Sequence, residues 1–116
     1  MINGIDVSTL QGNINWGAVA ASGIKLAMIK ASQGHGEGTA TRNLRNFTDS
    51  KFAANINAAT AAGIPCGVYH YMTAQTSQEA AEEAEYFCGV IAPYRDKITL
   101  WAAVDVESGM YLDKLS

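Results

Sequence analysis

Two carboxylates, Asp105 and Glu107, end the otherwise apolar segment LWAAVDVE at residues 100–107. Because side chains alternate between the two faces of a strand, both acids point the same way, about 6.6 Å apart along the strand. Two like charges in an enclosed site raise the pKa of one carboxyl group, which then stays protonated and acts as a general acid. The ionised partner can orient a substrate or stabilise positive charge, an arrangement typical of glycosidic bond cleavage.

The D-x-E sequence is weak evidence when it stands alone, because solvated strand ends and metal sites also contain it. Alternation predicts that Trp101 shares the face of the two acids, whereas Val104 and Val106 point toward covering helices. We therefore expect the acids on the side of the strand that faces away from the helices.

Three other apolar segments also end in polar side chains, namely Asp6 and Ser8, Lys30 and Ser32, and Tyr69, His70 and Tyr71. In parallel α/β folds the carboxyl ends of the strands share one rim, and ligands bind there. Other roles stay open for some of them, since Asp6 also fits a cap on the following turn and Lys30 a countercharge for the acids. We interpret His70 as a hydrogen-bonded scaffold residue rather than as a ligand or base.

Hydrophobic period and turn residues predict four strands, at 2–8, 24–32, 64–72 and 98–107. Helices are predicted within GNINWGAVAAS, within DSKFAANINAATAAG and over TSQEAAEEAEYFCGVIA. We expect Asp49 or Ser50 to cap the second helix, and Thr76 with Glu79 fits a capping box at the third. The third helix is expected to bury the stripe Ala80, Ala84, Phe87 and Ile91. The Gly-rich segment QGHGEGTATRN is predicted to be a loop.

Strands that alternate with helices predict an α/β fold with a parallel sheet. Near-continuous apolar strands agree with this, since a parallel sheet is covered on both faces. Four β/α units fit either an open doubly wound sheet or half of a barrel. A complete eight-stranded barrel needs about 250 residues. A barrel formed by a chain of 116 residues, 1–116, would therefore be a single partial domain.

The composition argues against several classes of function. A net charge of -3 gives no basic surface for nucleic acid, and no apolar run approaches the roughly 18 residues of a membrane span. The opening MINGIDVS lacks the basic start and apolar block of a secretory signal. Cys66 and Cys88 lie in apolar contexts without zinc-ligand spacing, so we expect buried free thiols, with no metal and no cofactor.

Four blocks occur in an order and spacing that resemble a known family: GIDVSTLQGNINW, GIKLAMIKASQG, DSKFAANINAATAAGIPCGVYHY and AVDVE. The chain is similar over almost its whole length to the family 25 glycoside hydrolases, the Chalaropsis-type lysozymes of phage endolysins and bacterial autolysins. The resemblance implies a TIM-like (β/α) barrel, of which this chain would hold the first four β/α units. It also implies a muramidase, which hydrolyses the β-1,4 bond between N-acetylmuramic acid and N-acetylglucosamine in peptidoglycan.

The resemblance assigns roles to individual residues. Glu107 matches the proposed general acid, and Asp105 the acid that supports attack by the substrate's own N-acetyl group on the anomeric carbon. Asp6 matches an active-site aspartate, and Tyr69 an aromatic residue that lines the groove. Tyr71 and Lys30 are further candidates for substrate binding at the same rim.

Family domains continue beyond the fourth strand and usually carry a further active-site aspartate there. We therefore expect this chain to be the N-terminal half of a catalytic domain, and its activity by itself stays open. The exposed sheet edges of half a barrel favour self-association.

The expected partner is the glycan strand of peptidoglycan, with no nucleic acid and no membrane, and the expected place of action is the bacterial cell wall. Phage-type release at lysis and excision from a larger secreted chain both fit the opening sequence. Two alternatives stay open: a chitinase-like glycosidase, although LWAAVDVE lacks the acid that chitinases carry further upstream, and a non-catalytic module that binds cell-wall glycan.

Overall fold

The fold is built on a parallel sheet whose one face is covered by helices. The computed structural model describes residues 3–36, 39–41 and 44–106. Within these ranges the strands are β1 (Gly4–Val7), β2 (Leu26–Gln33), β3 (Thr39–Thr41), β4 (Leu44–Thr48), β5 (Cys66–Tyr71) and β6 (Ile98–Asp105). The helices are α1 (Trp16–Ala21), α2 (Phe52–Ala61) and α3 (Ser77–Ile91), with 3₁₀ turns at Thr9–Gln11 and Ala92–Lys97. No helix in the described part of the chain is long and apolar enough to cross a membrane.

The four strands predicted from the sequence form the parallel part of the sheet, in the order β1-β2-β5-β6. The register places Asp6 beside Met28 and Tyr71 beside Asp105. Because every pair in this group is parallel, all four strands end at the same rim. The prediction of an α/β fold with a parallel sheet is confirmed, and the strand bounds differ from the predicted ones by a residue or two.

The segment predicted to be a loop, residues 33–43, contains strand β3, which forms a hairpin with the following strand β4, so that prediction is wrong. β3 and β4 pair antiparallel, and β4 pairs antiparallel with the end of β2 through Ser32 and Gln33. β1 reaches along β2 only as far as Ile29, while β5 occupies the other edge of β2. The edge of β2 beyond β1 is thus open to β4, a long-range pairing that no local sequence signal reveals.

A β-bulge separates Lys30 from Ser32 in β2. Ala31 and Ser32 are both fully buried, whereas regular alternation would bury only one of two neighbours. Asp49, the first residue after β4, donates its N–H to the carbonyl of Ala31 at 2.8 Å. The carbonyl at the bulge therefore has a hydrogen-bond partner. The bulge leaves Lys30 and Gln33 on one face, with the Lys30 Nζ donating to Gln33 Oε1 at 2.9 Å.

The core lies between the sheet and the two longer helices. Ala27, Ile29 and Val68 of the sheet have no exposed surface and pack in one cluster with Phe52 and Ile56 of α2. Full burial of a valine, isoleucine or phenylalanine side chain contributes about 1.5–3 kcal/mol. The opposite face of the same strands is left to the polar residues that end them.

Helix α3 buries a different stripe from the predicted one. Phe87 is buried and Ala80 and Ile91 are half-buried, but Ala84 is exposed, so that part of the prediction is wrong. Glu83 is buried in its place, with 1% of its surface exposed. An acidic side chain can occupy this position because polar groups of His70 in β5 and of Thr73 lie within hydrogen-bond distance of it.

The helix starts agree in part with the predicted caps. Thr76 Oγ1 accepts from the Glu79 N–H at 3.1 Å, as predicted, and Glu79 Oε1 accepts from the Gln75 N–H at 2.9 Å. Helix α2 begins without a side-chain cap. Asp49 instead accepts from the Lys51 N–H at 3.1 Å, so its carboxylate serves the turn that precedes the helix.

The prediction that both cysteines are buried is wrong, and the helices cover β6 less than expected. Cys66 is buried but Cys88 is exposed, and both thiols are free. Val104 lies opposite His70 on the helix-facing side of the sheet, yet it is 50% exposed, and Trp101 is 56% exposed. The described helices pack mainly on β2 and β5, so β6 keeps apolar surface that they do not cover.

Gly67→Ala is expected to destabilise the fold by about 1–3 kcal/mol. A Cβ at this position would lie 2.5 Å from Met28 Sδ and 2.7 Å from the Trp101 carbonyl oxygen. Gly89→Ala in α3 is the matched control, because its Cβ meets no atom within 4 Å, and it should stabilise by about 0.5–1 kcal/mol. Equilibrium urea unfolding measures both changes, and a Gly67→Ala protein as stable as the parent would contradict this account.

Candidate active site

Among the residues that the structure describes, four side chains line a cavity of about 300 Å³ at the rim of the parallel sheet, namely Asp6, Met28, Tyr69 and Asp105. They come from β1, β2, β5 and β6 respectively, so each parallel strand contributes one. Gly67 lies beside Met28 in the register, and its lack of a side chain makes room for the Met28 thioether. The structure thus brings the predicted residues Asp6, Tyr69 and Asp105 together.

Tyr69 is a cavity residue whose pKa is clearly raised. Burial raises its pKa to about 12, and the negative charges of Asp6, Asp49 and Asp105 add to the effect. The phenol therefore keeps its proton throughout the neutral range. It offers the cavity a hydrogen-bond donor between two carboxylates that accept.

Lys30 lies beside Tyr69 in the register of β2 and β5. Its ammonium group is 5.0 Å from the centre of the Phe47 ring and 5.3 Å from that of the Tyr71 ring, distances at which a cation is attracted to aromatic faces. Burial lowers the pKa of Lys30, while the charges of Asp49 and Asp105 oppose that change. The cation is thus partly desolvated and is held by rings as well as by nearby acids.

Tyr71 connects Lys30 to the end of β6. Its backbone lies beside Gln33 on one edge and beside Asp105 on the other. The next residue, Met72, donates its N–H to the carbonyl of Asp105 at 3.1 Å. The position of Asp105 therefore depends on the backbone that leaves β5.

Glu107, the predicted general acid, falls outside the described residues. Asp105 ends β6 and is half-buried, while Asp6 on β1 is exposed. Among the predicted site residues, Asp6, Tyr69 and Asp105 line the cavity, and Lys30 and Tyr71 lie next to it.

His70 points away from the cavity, and its prediction as a scaffold residue is confirmed. Its Nε2 lies 2.7 Å from Glu83 Oε1 and its Nδ1 lies 2.8 Å from Ser32 Oγ. The order serine, histidine, carboxylate occurs in many hydrolases. Here Ser32 has no exposed surface, so its hydroxyl cannot meet a substrate.

Two residues near the cavity were not predicted for it, because both follow from the unpredicted hairpin. Phe47 in β4 supplies one of the rings around Lys30. Asp49, expected only as a helix cap, is 2% exposed and accepts from the Thr9 N–H at 3.0 Å. The closest sequence signal is the alternation in LRNFT, which is too short to indicate a strand by itself.

A larger cavity of about 600 Å³ shares no lining residue with the smaller one. It is lined by Thr48, Asp49, Ser50, Phe52, Ala53, Val90, Pro93 and Tyr94. We assign the chemistry to the smaller cavity, because that one gathers carboxylates from two strand ends. Among the residues the structure describes, no three His, Cys, Asp or Glu side chains cluster as metal ligands would.

Comparison with known proteins gives a consistent result. The family model described as "Glycosyl hydrolases family 25" matches residues 5–115. Lysozyme M1 of Streptomyces globisporus is 37% identical over 107 residues, which are 91% of this chain and 33% of that protein.

Solved structures agree with the sequence match. A family 25 glycosyl hydrolase from Bacillus anthracis superposes with a TM-score of 0.73 at 28% identity, over 91% of this chain and 42% of that one. The modular autolysin LytC from Streptococcus pneumoniae, in complex with a synthetic peptidoglycan ligand, gives a TM-score of 0.74 at 25% identity, over 96% and 24%. This chain spans about a third of the length of the curated relatives it matches.

Tyr69 is expected to ionise at a pH of about 12 in the folded protein. Because its folded-state pKa lies above the ordinary tyrosine value of 10.0, the unfolded chain loses this proton first as the pH rises. The stability that Tyr69 contributes is therefore intact below pH 10 and is lost as the pH rises toward 12.

Ultraviolet absorbance of tyrosinate during a pH titration measures this ionisation. Tyr69→Phe should remove the last step of the titration, whereas Tyr94→Phe, outside the cavity, should leave it in place. If the step removed by Tyr69→Phe lies near pH 10, the acids do not act on the phenol as described.

Proposed function

The chain belongs to the glycosyl hydrolases family 25, and on that premise we propose that it is part of a peptidoglycan hydrolase. The reaction is that of a muramidase, which cleaves the β-1,4 bond between N-acetylmuramic acid and N-acetylglucosamine. The observation that carries the proposal is the cavity in which Asp6, Tyr69 and Asp105 meet at the rim of the parallel sheet. The lysozyme and autolysin names of the relatives support it.

The proposed architecture is a TIM-like barrel of which residues 1–116 form a partial catalytic domain with the first four β/α units. The parallel order β1-β2-β5-β6 with helices on one face supports this arrangement. So does the position of the polar residues, because ligands of such barrels bind at the carboxyl ends of the strands.

The proposed mechanism uses the substrate's own N-acetyl group. Its carbonyl oxygen attacks the anomeric carbon while the glycosidic bond breaks, and Glu107 gives its proton to the leaving oxygen. The ionised carboxylate of Asp105 orients the acetamido group and stabilises the positive oxazolinium that forms. Water then attacks the anomeric carbon, the oxazolinium ring opens, and Glu107 takes a proton from the water. Two acids, two residues apart in the sequence, suffice for this mechanism, because no protein nucleophile is needed opposite the acid.

The other rim residues hold the sugar. The protonated phenol of Tyr69 donates to a sugar or acetamido oxygen, and the carboxylate of Asp6 accepts from a hydroxyl group. Tyr71 offers a ring face to the apolar side of a sugar. The ammonium group of Lys30 has three protons, and one of them is directed to Gln33. Lys30 donates to the sugar with the other two.

Release of reducing ends from purified peptidoglycan tests the proposal. Glu107→Gln is expected to lower the rate by about 10²–10⁴-fold, the usual contribution of a general acid, and Asp105→Asn should also lower it strongly. Glu82→Gln, an exposed change on α3, is the control and should keep the parent rate.

Chitin serves as the second substrate in the same assay. Cleavage of peptidoglycan that is lost in Glu107→Gln supports the muramidase. Cleavage of chitin alone would indicate a chitinase-like enzyme, and binding of glycan without reducing ends would indicate a non-catalytic cell-wall module. Either result would contradict the proposal.

The partner in this proposal is the glycan strand of peptidoglycan, and the place of action is the bacterial cell wall. We also propose that copies of this chain associate through the edge of β6, which ends the sheet in the described residues. Trp101 and Val104 lie on this strand with 56% and 50% of their surface exposed. Such an edge is a template for another strand.

Sedimentation equilibrium of the 116-residue chain is expected to show a dimer or larger species. The double change Trp101→Ser with Val104→Thr should shift the equilibrium toward monomer, because it removes the apolar surface of the edge strand. Leu10→Ser is the control, since Leu10 is 88% exposed on another part of the surface. A folded parent chain that sediments as a monomer at all concentrations would contradict self-association.

A further inference from the structure

A buried polar network lies between α3 and the sheet, on the side opposite the cavity. Its members are Glu83, His70, Thr73 and Ser32, which are 1%, 2%, 2% and 0% exposed. None of them has a part in the proposed reaction. We refer to these four residues as the buried network.

Glu83 is the centre of the network. Its carboxylate accepts from the backbone N–H of Thr73 at 3.2 Å and from the Thr73 Oγ1 at 3.0 Å. It also faces His70 Nε2 at 2.7 Å. The other ring nitrogen pairs with the Ser32 hydroxyl at 2.8 Å. The carboxylate is thus fully engaged, as burial of a charge requires.

The network holds the backbone from which the cavity residues project. His70 sits between Tyr69 and Tyr71, which point to the opposite face of β5. Ser32 follows the bulge that begins at Lys30, so its bond to His70 ties the bulge to β5. Positions of three predicted substrate-binding residues therefore depend on a histidine that never meets the substrate.

The network also reaches the catalytic carboxylate through one backbone contact. Thr73, held twice by Glu83, is preceded by Met72, whose N–H donates to the Asp105 carbonyl at 3.1 Å. A line of short contacts thus runs from helix α3 through the segment 72–73 to the end of β6. A shift of Glu83 would be transmitted to Asp105 by the backbone.

Stability alone is a weak reason for this arrangement. Replacing buried ionic pairs by apolar side chains of similar volume is often neutral or stabilising. What a hydrogen-bonded carboxylate adds is direction, because its contacts with His70 Nε2, the Thr73 N–H and the Thr73 Oγ1 fix those atoms in one geometry. The strand ends that form the cavity need such fixing, since misplacement by about 1 Å can cost about 100-fold in rate.

We propose that Glu83 is a positioning residue of the active site, which acts through His70 and Thr73 to fix Tyr69, Tyr71 and Asp105. The proposal rests on the function proposed above. Glu83 lies on helix α3 and does not touch the substrate, so its effect on the reaction is through the position of these three residues.

Glu83→Gln tests the proposal, with Glu82→Gln as the matched control on the exposed side of the same helix. Two quantities are measured well below the unfolding temperature of each protein: the steady-state rate on peptidoglycan and the hydrogen exchange of the Met72 amide. Glu83→Gln should lower kcat by about 10- to 100-fold with KM within about twofold, because the acids are displaced while the groove stays present. Exchange at Met72 should become faster by about tenfold or more, and Glu82→Gln should change neither.

Thr73→Val is the second variant, in case Glu83→Gln does not fold. It keeps the shape of the side chain and removes the hydroxyl, which bonds Glu83 at 3.0 Å and lies 3.5 Å from Asn46 Oδ1. The backbone N–H of Thr73 still donates to Glu83, so a smaller fall in kcat is expected. Thr73→Ser, which keeps the hydroxyl, should restore the parent value.

The outcomes separate the two proposals. A folded Glu83→Gln protein with lower thermal stability but unchanged kcat and unchanged Met72 exchange would overturn the positioning role. If the parent chain releases no reducing ends from peptidoglycan, the proposed function is contradicted. The exchange at Met72 then decides by itself whether Glu83 fixes the Asp105 end of β6.

Discussion

Parallel pairing between β2 and β5 is the constraint on which the rest of the structure depends. It gives segments far apart in the chain one direction and one register, with Lys30 beside Tyr69 and Gln33 beside Tyr71. β1 and β6 attach to the outer edges of this pair in the same direction. Asp6 and Asp105 therefore reach one cavity from opposite ends of the chain. The common direction of the strands is thus what brings these residues together, more than any single side-chain contact.

Local patterns predict the parts of the fold whose physics is local. The apolar strands and helix α3 follow from period and caps, and the polar strand ends follow from the rim that parallel strands share. The hairpin β3–β4 could not be predicted, because its strands gain their place by pairing with the distant end of β2. The burial of Glu83 in place of Ala84 could not be predicted for a similar reason. The hydrogen-bond partners that make burial of Glu83 possible come from His70 in β5 and from Thr73.

Opposite electrostatic effects meet at the rim of the sheet. Burial pushes the Tyr69 phenol and the Lys30 ammonium toward their neutral forms, and the carboxylates raise the pKa of both. For Tyr69 the two effects add, which keeps a donor in the cavity, and for Lys30 they oppose each other. The aromatic faces of Phe47 and Tyr71 stabilise the cation without neutralising the acids. The cavity in this way keeps donors and acceptors side by side.

The hairpin begins and ends at nearly the same point of the sheet. The chain leaves at Gln33 and returns at Thr48, which pairs with the neighbouring Ser32, and the Asp49 N–H then binds Ala31. A change in the length of the hairpin would therefore leave the spacing between β2 and α2 unchanged. The hairpin that carries Phe47 can therefore change in length during evolution, while the strands that hold Asp6 and Asp105 keep their register.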